Sequence, residues 1–176
     1  MKASAQSPSQ KPAKAKLPPA AVRSSMPSPA DRGKRILLAD DDPGVRESLA
    51  AALRSDGYAV FPAKDGQDAL DIVSAAEVDL VLLDLNMPVK NGWDTVERLT
   101  AEHPLIPIII ITARPNQLFT ALNAGVGALL EKPLDIPTLL RTMNALLAES
   151  AEARLARLAG GSKKFHYKPA TESRVS

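Results

Sequence analysis

Four short apolar runs along the chain each lead into a residue with a chemically active side chain. Ile36-Leu37-Leu38-Ala39 runs into Asp40-Asp41, Leu80-Val81-Leu82-Leu83 into Asp84, and Ile108-Ile109-Ile110-Ile111 into Thr112. Ala128-Leu129-Leu130 runs, past Glu131, into Lys132-Pro133. Runs of this length bounded by turn residues read as strands buried on both faces, the habit of parallel sheets. A fifth strand is expected from Tyr58 to Phe61, second in chain order.

Helical patterns fill the intervals. Asp42-Pro43 suits a helix start, with the Asp as cap and the Pro in the first turn. Val45, Leu49 and Leu53 then mark a buried face, and Gly57 stops the helix. Ala69, Leu70, Ile72 and Val73 line a second helix after Asp65-Gly66, and Trp93, Val96 and Leu99 a third. Leu118, Ala121 and Leu122 give a fourth, ending near Gly125, and Ile136, Leu139, Leu140, Met143, Leu146 and Leu147 a fifth. Alternating strands and helices imply an α/β fold: an open five-stranded parallel sheet with helices on both faces. Right-handed crossovers leave few topologies, and the order 2-1-3-4-5 is a common one. That order makes Asp40-Asp41 and Asp84 neighbours at the switch point, beyond the carboxyl ends of the strands, where ligands bind in such folds.

The ends of the chain differ from this middle. Residues 1–33 are rich in Pro, Ser, Ala and Lys without apolar periodicity, and are expected to form a disordered tail. Residues 34–149 form the expected domain. Residues 150–176 read as a helix extension and a basic disordered tail, because Leu147, Ala151, Leu155 and Leu158 prolong the last apolar stripe up to Gly160-Gly161. That stripe is expected to make a local or self-contact, with docking on a partner helix as the alternative. Net charge is +6 over residues 1–34, −8 over 35–149 and +4 over 150–176. The Lys163-Lys164-Phe165-His166-Tyr167-Lys168 stretch is read as solubilising rather than as a nucleic-acid site. The sequence has no cysteine, which removes disulfides and thiolate chemistry and fits a cytoplasmic setting. No apolar run approaches membrane-spanning length.

Each strand-end residue alone has a plain reading: a capping acidic turn, a solvated aspartate, a turn threonine, a surface lysine. Their joint occurrence in chain order changes the reading. Aspartates gathered in one crevice repel unless a cation neutralises them, and a hard divalent ion such as Mg²⁺ suits oxygen donors and phosphate. A carboxylate is a competent phosphoryl acceptor, while a lysine and a hydroxyl can hold phosphate oxygens.

The constellation resembles the receiver domain of bacterial two-component response regulators, over roughly residues 34 to 148. ILLADDDPGVRESL at 36–49 is similar to the family's opening strand and helix, LVLLDLNMPVKNGWD at 80–94 to its phosphoacceptor segment, with Met87-Pro88 and Gly92 in the loop that follows. IIIITAR at 108–114 and LLEKPLD at 129–135 are similar to its hydroxyl and lysine strands. The resemblance implies a phosphoacceptor signalling domain rather than an enzyme acting on other substrates. It implies Asp84 as phosphoacceptor, with Thr112 and Lys132 assisting. Mg²⁺ would be held directly by Asp41 and Asp84, by the main-chain carbonyl of Asn86, and by Asp40 through water. The donor would be a sensor histidine kinase or a phosphotransfer protein, and output would pass to a downstream protein partner. Arg114 and Asn86, each two residues beyond a site residue, would face the water that attacks the phosphoryl group.

One departure is Leu129, three residues before Lys132, where the family carries Tyr or Phe. The family's usual readout by that ring therefore does not carry over. No DNA-binding pattern is visible in residues 150–176, so a stand-alone receiver is expected. The alternative is a phosphorylation-independent adaptor that forms a homodimer through the last helix. A dehalogenase-type hydrolase would match the spacing of Asp40 and Asp42, but the residues beyond depart from that motif.

Overall fold

The structure, a computed structural model, describes residues 33–87, 92–160 and 165–170. The N-terminal segment up to residue 32, Pro88 in the third loop and Lys163-Lys164 lie outside the described residues. Strand β1 (Arg35–Ala39) is followed by helix α1 (Pro43–Ser55), then β2 (Ala59–Ala63), α2 (Gly66–Ala75), β3 (Leu80–Asp84) and α3 (Gly92–Glu102). The chain continues through β4 (Ile108–Thr112), α4 (Leu118–Asn123), β5 (Ala128–Glu131), α5 (Ile136–Leu147), α6 (Ala151–Leu158) and β6 (His166–Lys168). The sheet is parallel, in the order β2-β1-β3-β4-β5-β6. The expected order thus holds, with a sixth strand added at the β5 edge. Part of the segment that reads as a disordered tail is that strand. Its three residues are all exposed, so no buried pattern announces it.

The strand runs are apolar throughout because alternate residues feed opposite layers. Leu37, Ala39, Val81, Leu83, Ile108, Ile110 and Leu129 pack with α2, α3 and α4 through Ala69, Leu70, Val73, Val96, Leu99 and Ala121. Ile36, Leu38, Leu80, Leu82, Ile109, Ile111, Ala128 and Leu130 pack with α1 and α5 through Leu49, Leu53, Leu139, Met143 and Leu146. Helical spacing puts Val45 on the buried face of α1, but it is exposed, as is Leu122 in the short α4. Val45 lies in the first turn of α1, past the strand ends that cover Leu49 and Leu53. Pro62, in β2, is tolerated because β2 lies at the edge of the sheet, where a ladder N–H can be missing.

Local chemistry sets the helix ends. The Asp42 carboxylate accepts from the main-chain N–H of Gly44 (2.8 Å) and Val45 (3.1 Å), which holds its pKa below the ordinary aspartate value. Asp65 caps α2 and Asp135 caps α5 in the same way. Gly92 opens α3 where a Cβ would lie 2.7 Å from Leu85 Cα, so only glycine lets the helix sit this close to the end of β3.

The last apolar stripe does not form one long helix. α5 ends at Leu147, and Ser150 caps α6 by accepting from Ala153 N–H (3.2 Å). Buried Arg157 pairs with both Glu149 carboxylate oxygens (2.6 and 2.7 Å) and donates to the Gly125 carbonyl (3.1 Å). Arg154 donates to the carbonyls of Leu105 (2.7 Å) and Leu146 (3.2 Å). Gly125, at φ +70, receives Leu158 so closely that a Cβ there would lie 2.7 Å from Leu158 Cδ2. Of that stripe Leu158 packs against Gly125, while Ala151 and Leu155 are exposed, and the helix expected to run on is interrupted at 148–150.

At the opposite end of the sheet Arg35 clamps β1 to the start of β3. Its main-chain N–H and Nε donate to Asp79 Oδ2 (2.8 and 3.0 Å), and its guanidinium also pairs with Glu77. Burial alone would raise the Asp79 carboxyl, but the hydrogen bonds from Arg35 outweigh it and hold its pKa below the ordinary aspartate value. A depressed acid contributes stability above its unfolded pKa of about 3.9 and loses it as pH falls through the lower folded value. Asp79→Asn is therefore expected to lower the urea midpoint by a constant amount from neutral pH to about pH 5, with the gap to the parent chain closing in stronger acid.

Candidate functional site

The strand register assembles the site. Ala39 stands opposite Leu83, so Asp40 and Asp84 follow side by side at the next step. Asp84 stands opposite Ile111, and Thr112 opposite Glu131, which brings Thr112 and Lys132 to the same rim. Asp40 and Asp84 are each 3% exposed, Thr112 is fully buried, and Asp41 and Asn86 are exposed. Carboxylate oxygens of Asp40, Asp41 and Asp84 lie within 4.8 Å of one another.

Lys132 crosses the sheet to hold two of these acids. Its Nζ donates to Asp84 Oδ2 (2.6 Å) and Asp40 Oδ2 (3.1 Å). Burial alone would depress the ammonium, yet the hydrogen bonds and charges of Asp84 and Asp40 outweigh it and raise its pKa above the ordinary lysine value. The remaining oxygens are tied to the main chain: Asp42 N–H donates to Asp40 Oδ1 (3.0 Å), and Asn86 N–H to Asp84 Oδ1 (3.0 Å). These bonds fix the carboxylate planes, so the acids cannot turn away from one another. Lys132 N–H donates to the Thr112 carbonyl (2.9 Å), and the Lys132–Pro133 peptide is cis.

Arg114 and Asn86 form a latch at the mouth. Arg114 Nε donates to Asn86 Oδ1 (2.6 Å), while Arg114 N–H donates to Thr112 Oγ1 (2.9 Å). The Thr112 hydroxyl oxygen thus accepts from the main chain, and its own hydrogen is free to point at a ligand. Leu129 is fully buried in the layer with α2, α3 and α4, and Tyr167 of β6 stands beside it in register. Sequence reasoning misses two supporting residues. Arg46 donates from Nη1 to the Asp40 carbonyl (2.6 Å) and steadies the acid turn. Trp93 Nε1 donates to Gln117 Oε1 (3.0 Å) and joins α3 to α4 behind the site. For Arg46, a cation one turn after an acid run is the available signal.

An acid pair, a lone acid, a hydroxyl and a lysine thus meet at one rim, and the family that the sequence resembles is shown by direct comparison. A model of the response regulator receiver domain matches residues 36–144. The chain belongs to the response regulator receiver family. As such it is a receiver domain of two-component signalling, a family in which phosphorylation and Mg²⁺ binding are general features. Response regulator MprA of Mycolicibacterium vanbaalenii is 40% identical over 115 residues, covering 64% of this chain and 50% of that protein. MprA of Mycobacterium avium is 39% identical over 115 residues, with the same two coverages. The receiver thus spans about half the length of the curated relatives it matches. Among solved structures, a CheY-like receiver domain protein from Methanospirillum hungatei superposes with a TM-score of 0.63 at 28% identity, covering 65% of this chain and 94% of that one. Response regulator TrrA of Thermotoga maritima, solved in complex with Mg²⁺ and BeF, gives 0.61 at 28% identity, covering 64% and 98%. No helix among the described residues is long and apolar enough to cross a membrane.

The bridging lysine has a stability signature of its own. Lys132→Met leaves Asp40 and Asp84 facing each other without their shared cation, and is expected to cost about 1–3 kcal/mol in denaturant unfolding at neutral pH. Because the folded ammonium is raised above its unfolded pKa of about 10.4, this contribution is full below that value. The difference between parent and variant should therefore persist to about pH 10 and close only as pH climbs through the higher folded value.

Proposed function

We propose that this receiver is phosphorylated on Asp84 by a sensor histidine kinase or a phosphotransfer protein in the cytoplasm, and that it passes the signal on by protein–protein contact. The observation that carries this reading is the single Lys132 ammonium shared by Asp84 and Asp40, with Asp41 completing an acid cluster open to solvent. Most of what phosphoryl transfer asks of a protein is alignment and charge neutralisation, and both are supplied at this rim.

In the forward step a carboxylate oxygen of Asp84 attacks the phosphorus of a phosphohistidine. The P–N bond breaks, its electron pair stays on the imidazole nitrogen, which takes a proton from solvent, and the phosphoryl group becomes a mixed anhydride on Asp84. Lys132 then pairs with phosphoryl oxygen in place of carboxylate, and the Thr112 hydroxyl donates to a second oxygen. In hydrolysis water attacks the phosphorus, the bond to Asp84 breaks, and inorganic phosphate leaves. Arg114 and Asn86, paired at the mouth, would face that water and tune how long the phosphoryl group survives. The clustered carboxylates suit a hard cation. Asp40, Asp41, Asp84 and the Asn86 carbonyl would hold Mg²⁺, and the ion, when bound, would neutralise charge between the carboxylates and the phosphoryl oxygens.

Incubation with acetyl phosphate and Mg²⁺ is expected to add one phosphoryl group by intact mass, with none added to Asp84→Asn or in excess chelator. Asp41→Asn, at an exposed position, should raise the Mg²⁺ concentration required by about 10- to 100-fold. Undiminished incorporation into Asp84→Asn would overturn the assignment.

A further inference from the structure

Strand β6 is attached to the sheet in an unequal way. Its three side chains are exposed, and among the described residues at its start only the neighbouring Phe165 packs against the core. His166 N–H donates to the Gly127 carbonyl at 3.2 Å, a long bond. At its other end the attachment is concentrated on one residue. Tyr167 Oη donates to Glu131 Oε1 (2.9 Å), and Ala170 N–H donates to Glu131 Oε2 (2.8 Å). Both oxygens of a single carboxylate therefore hold the segment, and the Tyr167 phenol is raised above its ordinary value by that hydrogen bond.

Glu131 is joined by one peptide bond to Lys132. The path from the C-terminal segment to the acid cluster is short: Tyr167 to Glu131, along the main chain to Lys132, and from Lys132 Nζ to Asp84 and Asp40. With three exposed side chains and a place at the edge of the sheet, β6 has the features of a segment that opens readily.

We propose that Phe165–Ala170 is a strap on the edge of β5 whose closure is coupled through Glu131 and Lys132 to the state of the phosphoacceptor site. This rests on the phosphoacceptor reading above. A phosphoryl group on Asp84 interposes its oxygens between Asp84 and Lys132, so Lys132 must re-pair farther out. The main chain at Glu131 follows, and the two bonds fitted to the old position weaken. The strap loosens and bares the N–H and C=O groups along the outer edge of β5. Coupling is reciprocal, so a weakened strap must in turn favour the loaded site.

Hydrogen exchange on the full chain, with and without Mg²⁺ plus beryllofluoride, tests this. Fluorine NMR of bound beryllofluoride, with the Asp84→Asn variant as the unloaded control, reports whether loading occurs. Loading is expected to speed amide exchange across 166–170 by about fivefold or more, the low end of ordinary site-to-site coupling. Tyr167→Phe removes one bond at an exposed position, and is expected to lower the beryllofluoride concentration for half-loading by a few-fold, up to that same factor of about five. Loading with unchanged or slower exchange at 166–170, or a Tyr167→Phe chain that loads like the parent, overturns the strap alone. Failure to load at all overturns both the strap and the phosphoacceptor reading.

Discussion

One ammonium group holds the working end of this molecule together. Asp40 and Asp84 come from different strands, and both are nearly removed from water. Two carboxylates in that situation repel strongly unless a cation sits between them. Lys132 supplies it, at 2.6 Å from one and 3.1 Å from the other. Everything else in the site is arranged around that bridge. The sheet order brings the three strand ends together, and the main-chain N–H groups of Asp42 and Asn86 fix the carboxylates from behind. The parallel register sets the heights from which each side chain reaches in.

The bridge also explains why the site is ready without being closed. Asp41 stands in solvent beside the buried pair, and the Thr112 hydroxyl oxygen accepts from Arg114 N–H while its hydrogen remains to be directed. A ligand rich in negative oxygen would meet a prepared cation on one side and a hydroxyl on the other. Little side-chain reorganisation is needed, which is how a fixed electrostatic environment lowers the barrier to a charge-shifting step. Among the described residues the exposed closure over the mouth is the Arg114–Asn86 pair, and both of these side chains are long or free enough to swing aside.

Much of this is legible in the order of residues alone. The four aliphatic runs are short and bounded by turn residues, as buried strands are, with Asp84 and Thr112 as last strand residues and Asp40 and Lys132 directly after their strands. The caps at Asp42, Asp65 and Asp135 follow from side-chain chemistry that acts within one turn. What cannot be read this way depends on contacts between distant, polar residues. Val45 keeps the helical spacing of Leu49 and Leu53, yet emerges from the core because its turn stands above the strands. Nothing in Ser150 or Arg157 declares that the last stripe breaks and folds back, since the pair that fixes it, Arg157 with Glu149, has the look of a solvated helix face. His166-Tyr167-Lys168 is exposed and only three residues long, so it carries no periodicity at all. Tyr167 standing beside Leu129 is visible only once the strand is in place.

The two borders of the sheet differ from its interior in a way that bears on solubility. A bare strand margin invites indefinite stacking of neighbours, the start of fibrous aggregates. On one side Pro62 interrupts the row of donors, so a newcomer would find a gap in its template. On the other, the oily β5 run is shielded by a short, charged strand too brief to nucleate further growth. The aliphatic strands between these borders are thus kept from pairing outward, and the shield over β5 is the part whose loss would bare the most apolar edge.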